Sequence, residues 1–258
     1  MVFTSKHEES SPPIVWITGG GSGIGRSLAH TLSNMGWIVV ISGRNREKLI
    51  KTAATGGKQP IQQMTLDVTD PQSVSRVIGE IERQYGGIDY AFLNAGDYSP
   101  MRLKEFNLEL FHRLNDVNYL GVVNCLAALL PGMRQRAQGQ ILITASLSAY
   151  RGLPGAAPYS ATKAALINLA ESLQPELSQL GIRIRLINPG FVATELTEKN
   201  DFKMPFLITP AMAAEAIQNQ LLSKRFEIRF PTTFSWIMKA LSWIPYRIYF
   251  ALMRRLLK

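Results

Sequence analysis

Two rhythms of apolar and polar positions alternate along this chain. Strand candidates appear at "IVWIT" (14–18), "WIVVIS" (37–42), within "IQQMTLDVTD" (61–70), at "IDYAFLNAG" (88–96), "GQILITAS" (139–146) and "IRIRLINPG" (182–190), with "RFEIRF" (225–230) as a seventh, and several of them are short, almost continuous apolar runs. Runs of this kind suit strands buried on both faces, as in a parallel sheet. Between them lie stretches with helical spacing: "RSLAHTLSNMG", "REKLIKTAA", "PQSVSRVIGEIERQYG", a long region to about Arg136 that reads as two helices, and 158–179. The third of these begins with proline after Asp70, a helix-start pattern, and the first stops at a glycine. Strand alternating with helix predicts an α/β domain, doubly wound, with a seven-stranded, mostly parallel sheet and helices on both faces. No linker divides the first 230 residues. The expected organisation is a polar leader (1–12), one catalytic-sized domain (13–231) and a helical C-terminal extension (232–258).

The turn after the first strand reads "TGGGSGIG" (18–25). Glycines there let the backbone turn tightly and approach a ligand, and the following helix offers free N–H groups to a pyrophosphate. The spacing is TGxxxGxG rather than the GxGxxG of many dinucleotide folds, and alone it also fits a plain flexible turn. After the second strand comes "ISGRNREKL", without the acid that commonly holds ribose hydroxyls. Arg44, with Arg46 nearby, suits a 2′-phosphate, which favours NADP(H) over NAD(H). The same arginines also fit a solvated loop.

"YSATK" (159–163) places a phenol and an ammonium one helical turn apart. In isolation that is a common surface pair. Here it stands in an ordered set: the glycine turn, Asp67, "NAG" (94–96), Asn118, Ser146 thirteen residues before Tyr159, and "NPGFVAT" (188–194). This set resembles the short-chain dehydrogenase/reductase family over residues 13–230. The resemblance implies a Rossmann-type fold and hydride transfer between a nicotinamide cofactor and a carbonyl/alcohol pair. It implies that Tyr159 is the general acid/base, that Lys163 holds the nicotinamide ribose, that Ser146 bonds the reacting oxygen and that Asn118 holds a water linking Lys163 to solvent. It implies a cofactor groove lined by Gly19, Ser22, Gly23, Ile24 and Gly25, then Arg44 and Asp67. Asn94, Ala95, Gly96, Pro189, Gly190, Val192 and Thr194 complete that lining, with Tyr159 and Lys163 at its nicotinamide end. Two departures are Ala145, where many members carry a second serine, and Ser22, where some NADP-preferring members carry a basic residue. The second leaves Arg44 as the main phosphate anchor.

The chemistry accounts for these residue types. Ketone reduction needs a proton donor aimed at an oxygen that gains charge as hydride arrives. A phenol is a weak acid, with a reference pKa of about 10. The adjacent ammonium and an oxidised nicotinamide are expected to lower it by ~2–3 units. No metal is required, and His7, His30 and His112 lack ligand spacing.

Composition adds two constraints. The lone Cys125 excludes an intrachain disulfide and suits a reducing, cytoplasmic compartment. The net charge is +9, but residues 224–258 hold eight basic residues against the single acid Glu227, so the basicity belongs to one segment. That argues against a nucleic-acid-binding body. The segment is rich in aromatics, is broken by Pro245, and has no uncharged run long enough to span a bilayer. It predicts a pair of short amphipathic helices lying on an anionic membrane surface, or packed on the body or on a second subunit. The substrate is expected to be lipophilic, and the resemblance implies a homodimer or homotetramer. The alternative function is an inactive cofactor-binding regulator or membrane-surface scaffold.

Overall fold

The computed structural model describes residues 11–256; most of the polar leader and the last two residues lie outside this range. The elements are β1 (Ile14–Thr18), α1 (Gly23–Asn34), β2 (Ile38–Gly43), α2 (Arg46–Ala54), β3 (Ile61–Thr65), α3 (Pro71–Tyr85) and β4 (Tyr90–Leu93). They continue with α4 (Leu108–Asn115), α5 (Gly121–Arg136), β5 (Gly139–Thr144), α6 (Ala157–Gln179), β6 (Ile182–Pro189), α7 (Pro210–Gln218), β7 (Glu227–Phe230), α8 (Thr232–Trp243) and α9 (Tyr246–Leu256).

The seven strands form one sheet in the order β3-β2-β1-β4-β5-β6-β7, every neighbouring pair parallel. Because successive strand side chains point to opposite faces, β1 feeds two cores. Ile14 and Trp16 pack with Val77, Ile81, Leu126 and Leu166 of α3, α5 and α6. Val15 and Ile17 pack with Leu28, Leu32 and Ile217 of α1 and α7. All five β1 residues are buried, which explains why the run "IVWIT" shows no alternation.

The strand order reverses between β1 and β4. That is where open parallel sheets leave a crevice beyond their carboxyl ends. Local capping sets the helix starts around it. Asp70 accepts the amide of Gln72 at 3.0 Å, with Pro71 at the first helical position.

The region before Arg136 differs from the expected two helices. A π turn, Asp116–Leu120, joins α4 to α5 into one 29-residue run. The run is long and apolar enough to cross a membrane, but Val122, Leu126, Leu129 and Met133 are spent on the core. The π turn inserts an extra residue per turn and brings Asn118 to full burial. Strand ends also recede: β3 stops at Thr65, so Asp67 lies in the turn beyond it.

Pro245 separates α8 from α9. α8 buries Ser235 and Met238; α9 buries Tyr249 and Met253.

Candidate active site

The glycine turn is compact because it has no room for side chains. A Cβ on Gly25 would lie 2.3 Å from the Gly19 carbonyl oxygen, and one on Gly19, where φ is +69°, would lie 3.0 Å from Ala95 Cα. Ser22 caps α1 in extended conformation, but its side chain accepts none of the first-turn amides. Those amides therefore lack a side-chain acceptor at the positive end of the helix, which is suited to an anion. Opposite, Thr194 Cγ2 would be 2.9 Å from a Cβ on Gly23, so the segment after β6 forms the other wall. Ile24 packs on the core below. A bare-backbone cradle facing free amides fits a dinucleotide pyrophosphate.

Thr18, at the end of β1 and the start of the glycine motif, is a hub. Its Oγ1 accepts the amides of Asn94 at 2.9 Å and Ala95 at 3.0 Å and donates to the Phe92 carbonyl at 3.4 Å. Asn94 donates to the Thr18 carbonyl and accepts from Thr144 Oγ1. This locks the turn after β4 to both neighbouring strands.

Asn118, Gly96 and Lys163 meet at one point. A Cβ on Gly96 would lie 3.2 Å from Asn118 Oδ1 and 3.5 Å from Lys163 Nζ. Asn118 Oδ1 accepts the Asp97 amide at 2.7 Å, and its Nδ2 donates to the Asp97 carbonyl at 2.9 Å and to Thr162 Oγ1 at 3.2 Å. The residue thus pins the segment after "NAG" to α6.

Ser146 ends the β5 segment and caps a short 3₁₀ turn, Leu147–Ala149. Its Oγ accepts from the Ser148 amide at 3.1 Å and the Ser148 hydroxyl at 2.9 Å. Ser148 was not anticipated; its signal is the Ser-x-Ser spacing. Tyr159, in the first turn of α6, stands near Ser146, whose hydroxyl favours the phenolate. Tyr98 packs edge-on against the Tyr159 ring, with centroids 5.0 Å apart, and donates to Asn200 Oδ1 at 2.7 Å.

The electrostatics overturn one expectation. Burial pushes the Tyr159 phenol up to about 12, with Ser146 pulling the other way. Lys163 does not lower it. Its Nζ lies 5.7 Å from the ring centroid and donates to the Thr144 carbonyl at 2.8 Å. Burial brings Lys163 itself down to about 8. The physical reason is common to both groups: desolvation disfavours phenolate and ammonium alike.

The remaining sequence-derived residues take varied positions. Arg44 is exposed at the carboxyl end of β2. Asp67 folds back on its own turn, its Oδ1 accepting from the Thr69 amide and hydroxyl at 3.0 and 2.8 Å. Pro189 and Gly190 close β6, where Gly190 donates to the Phe230 carbonyl at 2.8 Å. The Val192 side chain is buried in the core, and its carbonyl accepts from Thr197 Oγ1 at 2.6 Å.

The family model for short chain dehydrogenase matches residues 13–204. The chain belongs to the short-chain dehydrogenase family. It is 34% identical over 242 residues, 93% of this chain and 96% of the relative, to a Myxococcus xanthus protein described as an uncharacterized oxidoreductase. A Staphylococcus aureus protein so described is 31% identical, over 79% of this chain and 88% of its own. Among solved structures, a short-chain dehydrogenase from Streptomyces avermitilis superposes with a TM-score of 0.78 at 26% identity, covering 88% of this chain and 92% of that one. An alcohol dehydrogenase from the archaeon Thermococcus sibiricus, complexed with 5-hydroxy-NADP, gives 0.77 at 27% identity, covering 84% and 95%. This short-chain dehydrogenase is an oxidoreductase acting on a CH–OH/C=O pair with a nicotinamide cofactor.

Proposed function

We propose that this chain interconverts an apolar carbonyl compound and its alcohol with NADP(H), using Tyr159 as general acid/base. The observation that carries this reading is the apposition of Ser146, Tyr159 and Lys163 at the carboxyl ends of β5 and the neighbouring strands, on the same rim as the glycine turn. When bound, the nicotinamide supplies the hydride. The chain's residues supply the proton and the geometry. In the reducing direction, Ser146 orients the substrate oxygen while Tyr159 gives up its proton as negative charge develops there. A phenol held above its usual range by burial arrives at that moment protonated. Lys163 and Asn118 border the place for the ribose.

The preference for NADP(H) is supported by the absence of an acid at the tip of β2, by the exposed Arg44, and by the 5-hydroxy-NADP complex of the Thermococcus relative. The apolar substrate is supported by four phenylalanines beside the site. Phe191 stacks on Phe234 and meets Phe202 edge-on, and Phe206 stacks on Phe234, with centroid distances of 5.6–5.8 Å. Phe202 and Phe206 remain about half exposed (51% and 47%), an apolar surface awaiting a partner. Peripheral contact of a cytoplasmic enzyme with an anionic membrane is supported by residues 232–258, which contain no acid and expose Trp236, Trp243, Tyr246 and Phe250.

The test is oxidation of NADPH, and separately NADH, across straight-chain aldehydes and aromatic ketones, with Tyr159→Phe as control. The expected result is turnover with NADPH that Tyr159→Phe abolishes. Turnover insensitive to that change overturns the assignment.

A further inference from the structure

We propose that the C-terminal helical pair is a working part of the active site, in which Arg151 acts as a positioning residue that fixes the segment joining Ser146 to Tyr159. This rests on the catalytic assignment above. The segment 147–156 has few backbone hydrogen bonds: Ala149 to Ser146, Tyr150 to Leu147, Ala156 to Leu153 and Met101 to the Gly155 carbonyl, besides the two that Ser148 donates to Ser146 Oγ. It contains Gly152, Pro154 and Gly155, and Gly155 adopts a φ of +76°. Such a segment has no ladder to hold it, yet it sets where Ser146 stands relative to Tyr159.

The C-terminal helices hold Arg151 and Gly152 of it directly, and reach Tyr150 through Glu227 of β7, which Lys239 of α8 bonds. The Tyr150 hydroxyl donates to the Glu227 carboxylate, which also accepts from Asn188 at 2.6 Å and from Lys239 of α8 at 3.1 Å. Arg151 reaches the end of α8. Its Nη1 donates to the Ser242 carbonyl at 3.0 Å and its Nη2 to the Ile244 carbonyl at 3.1 Å. These carbonyls sit at the negative end of a helix, where helical partners run out. The same guanidinium carbon stands 4.2 Å from the Tyr246 ring centroid and 4.5 Å from that of Tyr249, both on α9. The Tyr249 hydroxyl donates to the Gly152 carbonyl.

The arrangement is specific to arginine. A planar fork can satisfy two carbonyls while its faces meet aromatic rings; an ammonium cannot do both. Arg151 Nε is buried without a partner, so desolvation has been accepted to place this group between loop and helices. Placement of reacting groups matters steeply: an error of about 1 Å can cost roughly 100-fold in rate.

The experiment compares native enzyme with Arg151→Met, Arg151→Lys, Tyr249→Phe and Tyr159→Phe. Hydrogen–deuterium exchange of the 147–158 peptides reads the clasp without turnover. NADPH titration reads the cofactor groove. Steady-state rates use whichever carbonyl of the panel above turns over fastest. Expected are faster exchange confined to 147–158 in Arg151→Met and Tyr249→Phe, unchanged NADPH affinity, and a kcat lowered about tenfold and about threefold respectively. Arg151→Lys is expected to fall between native and Arg151→Met, and millimolar guanidinium chloride to restore part of the Arg151→Met rate. Unchanged exchange, a kcat within twofold of native, or a parallel loss of NADPH affinity overturns the proposal. If Arg151→Met does not fold, Tyr249→Phe, which keeps its ring, decides alone. A fully active Tyr159→Phe condemns the catalytic assignment; a fully active Arg151→Met beside an inactive Tyr159→Phe condemns the clasp only.

Discussion

Ser148 donates its hydroxyl to Ser146 Oγ at 2.9 Å, while its amide donates to the same oxygen at 3.1 Å. With two donors already on Ser146, the Ser146 proton is free to turn toward a reacting oxygen. Ser148→Ala should therefore lower kcat about fivefold, the worth of one neutral hydrogen bond of ~1 kcal/mol. Ser146→Ala should cost on the order of 100-fold, as for loss of an oxyanion donor. Stopped-flow and steady-state rates with NADPH check both, and equal effects of the two changes would contradict this division of labour.

Lys163 is a buried cation. Its pKa falls from an ordinary value of 10.5 to about 8, which corresponds to roughly 3 kcal/mol of penalty on the charged form. Between these values the unfolded chain binds more protons than the folded one, so stability rises as pH increases from about 8 to about 10. Below 8 both states are charged and the whole penalty applies. Lys163→Met should therefore raise Tm at pH 7 while abolishing turnover, and its stability curve should lack the rise. Differential scanning fluorimetry across pH measures both.

Arg44 is the main candidate to bring positive charge to a 2′-phosphate. Arg44→Asp should raise KM for NADPH at least tenfold, consistent with loss of a charge-assisted hydrogen bond of ~1.5–3 kcal/mol and added repulsion. KM for NADH should improve or stay level. Equal changes for both cofactors would place the phosphate elsewhere.

Two glycine substitutions should act in opposite directions. Gly25→Ala sets a methyl 2.3 Å from backbone and should cost on the order of 1–3 kcal/mol and weaken NADPH binding. Gly79→Ala, inside α3 with no atom within 4 Å of the new methyl, should add about 0.5–1 kcal/mol. Chemical denaturation distinguishes them.

The exposed aromatics of α8 and α9 predict flotation with vesicles. The full chain should float with phosphatidylserine-containing liposomes, and deletion after Pro231 or the pair Trp243→Ala and Phe250→Ala should reduce it. Flotation that ignores these changes would assign the surface to protein contacts.

Much of this protein was legible in its residue order. The inner strands β1, β2, β4 and β5 were legible because a strand covered on both faces must be nearly apolar throughout, a local requirement, whereas the edge strands β3 and β7 keep polar, partly exposed residues. The glycine turn was legible because only glycine permits the backbone approaches seen at Gly19 and Gly25. The thirteen-residue interval from Ser146 to Tyr159 bridges one strand end and one helix start, and these do meet. Other features depended on assembly. Spacing placed Lys163 beside the phenol, but folding turned its ammonium to the Thr144 carbonyl, and burial, invisible in a string of letters, set both pKa values. The side-chain bonds of Asn118, the Thr18 hub and the grip of Arg151 on the end of α8 each join residues tens of positions apart. The sequence by itself determined which segments are apolar on which side, since periodicity is a property of neighbours. Only the tertiary structure decided which polar groups lose water and whom they meet, because desolvation and partnership depend on everything packed around them.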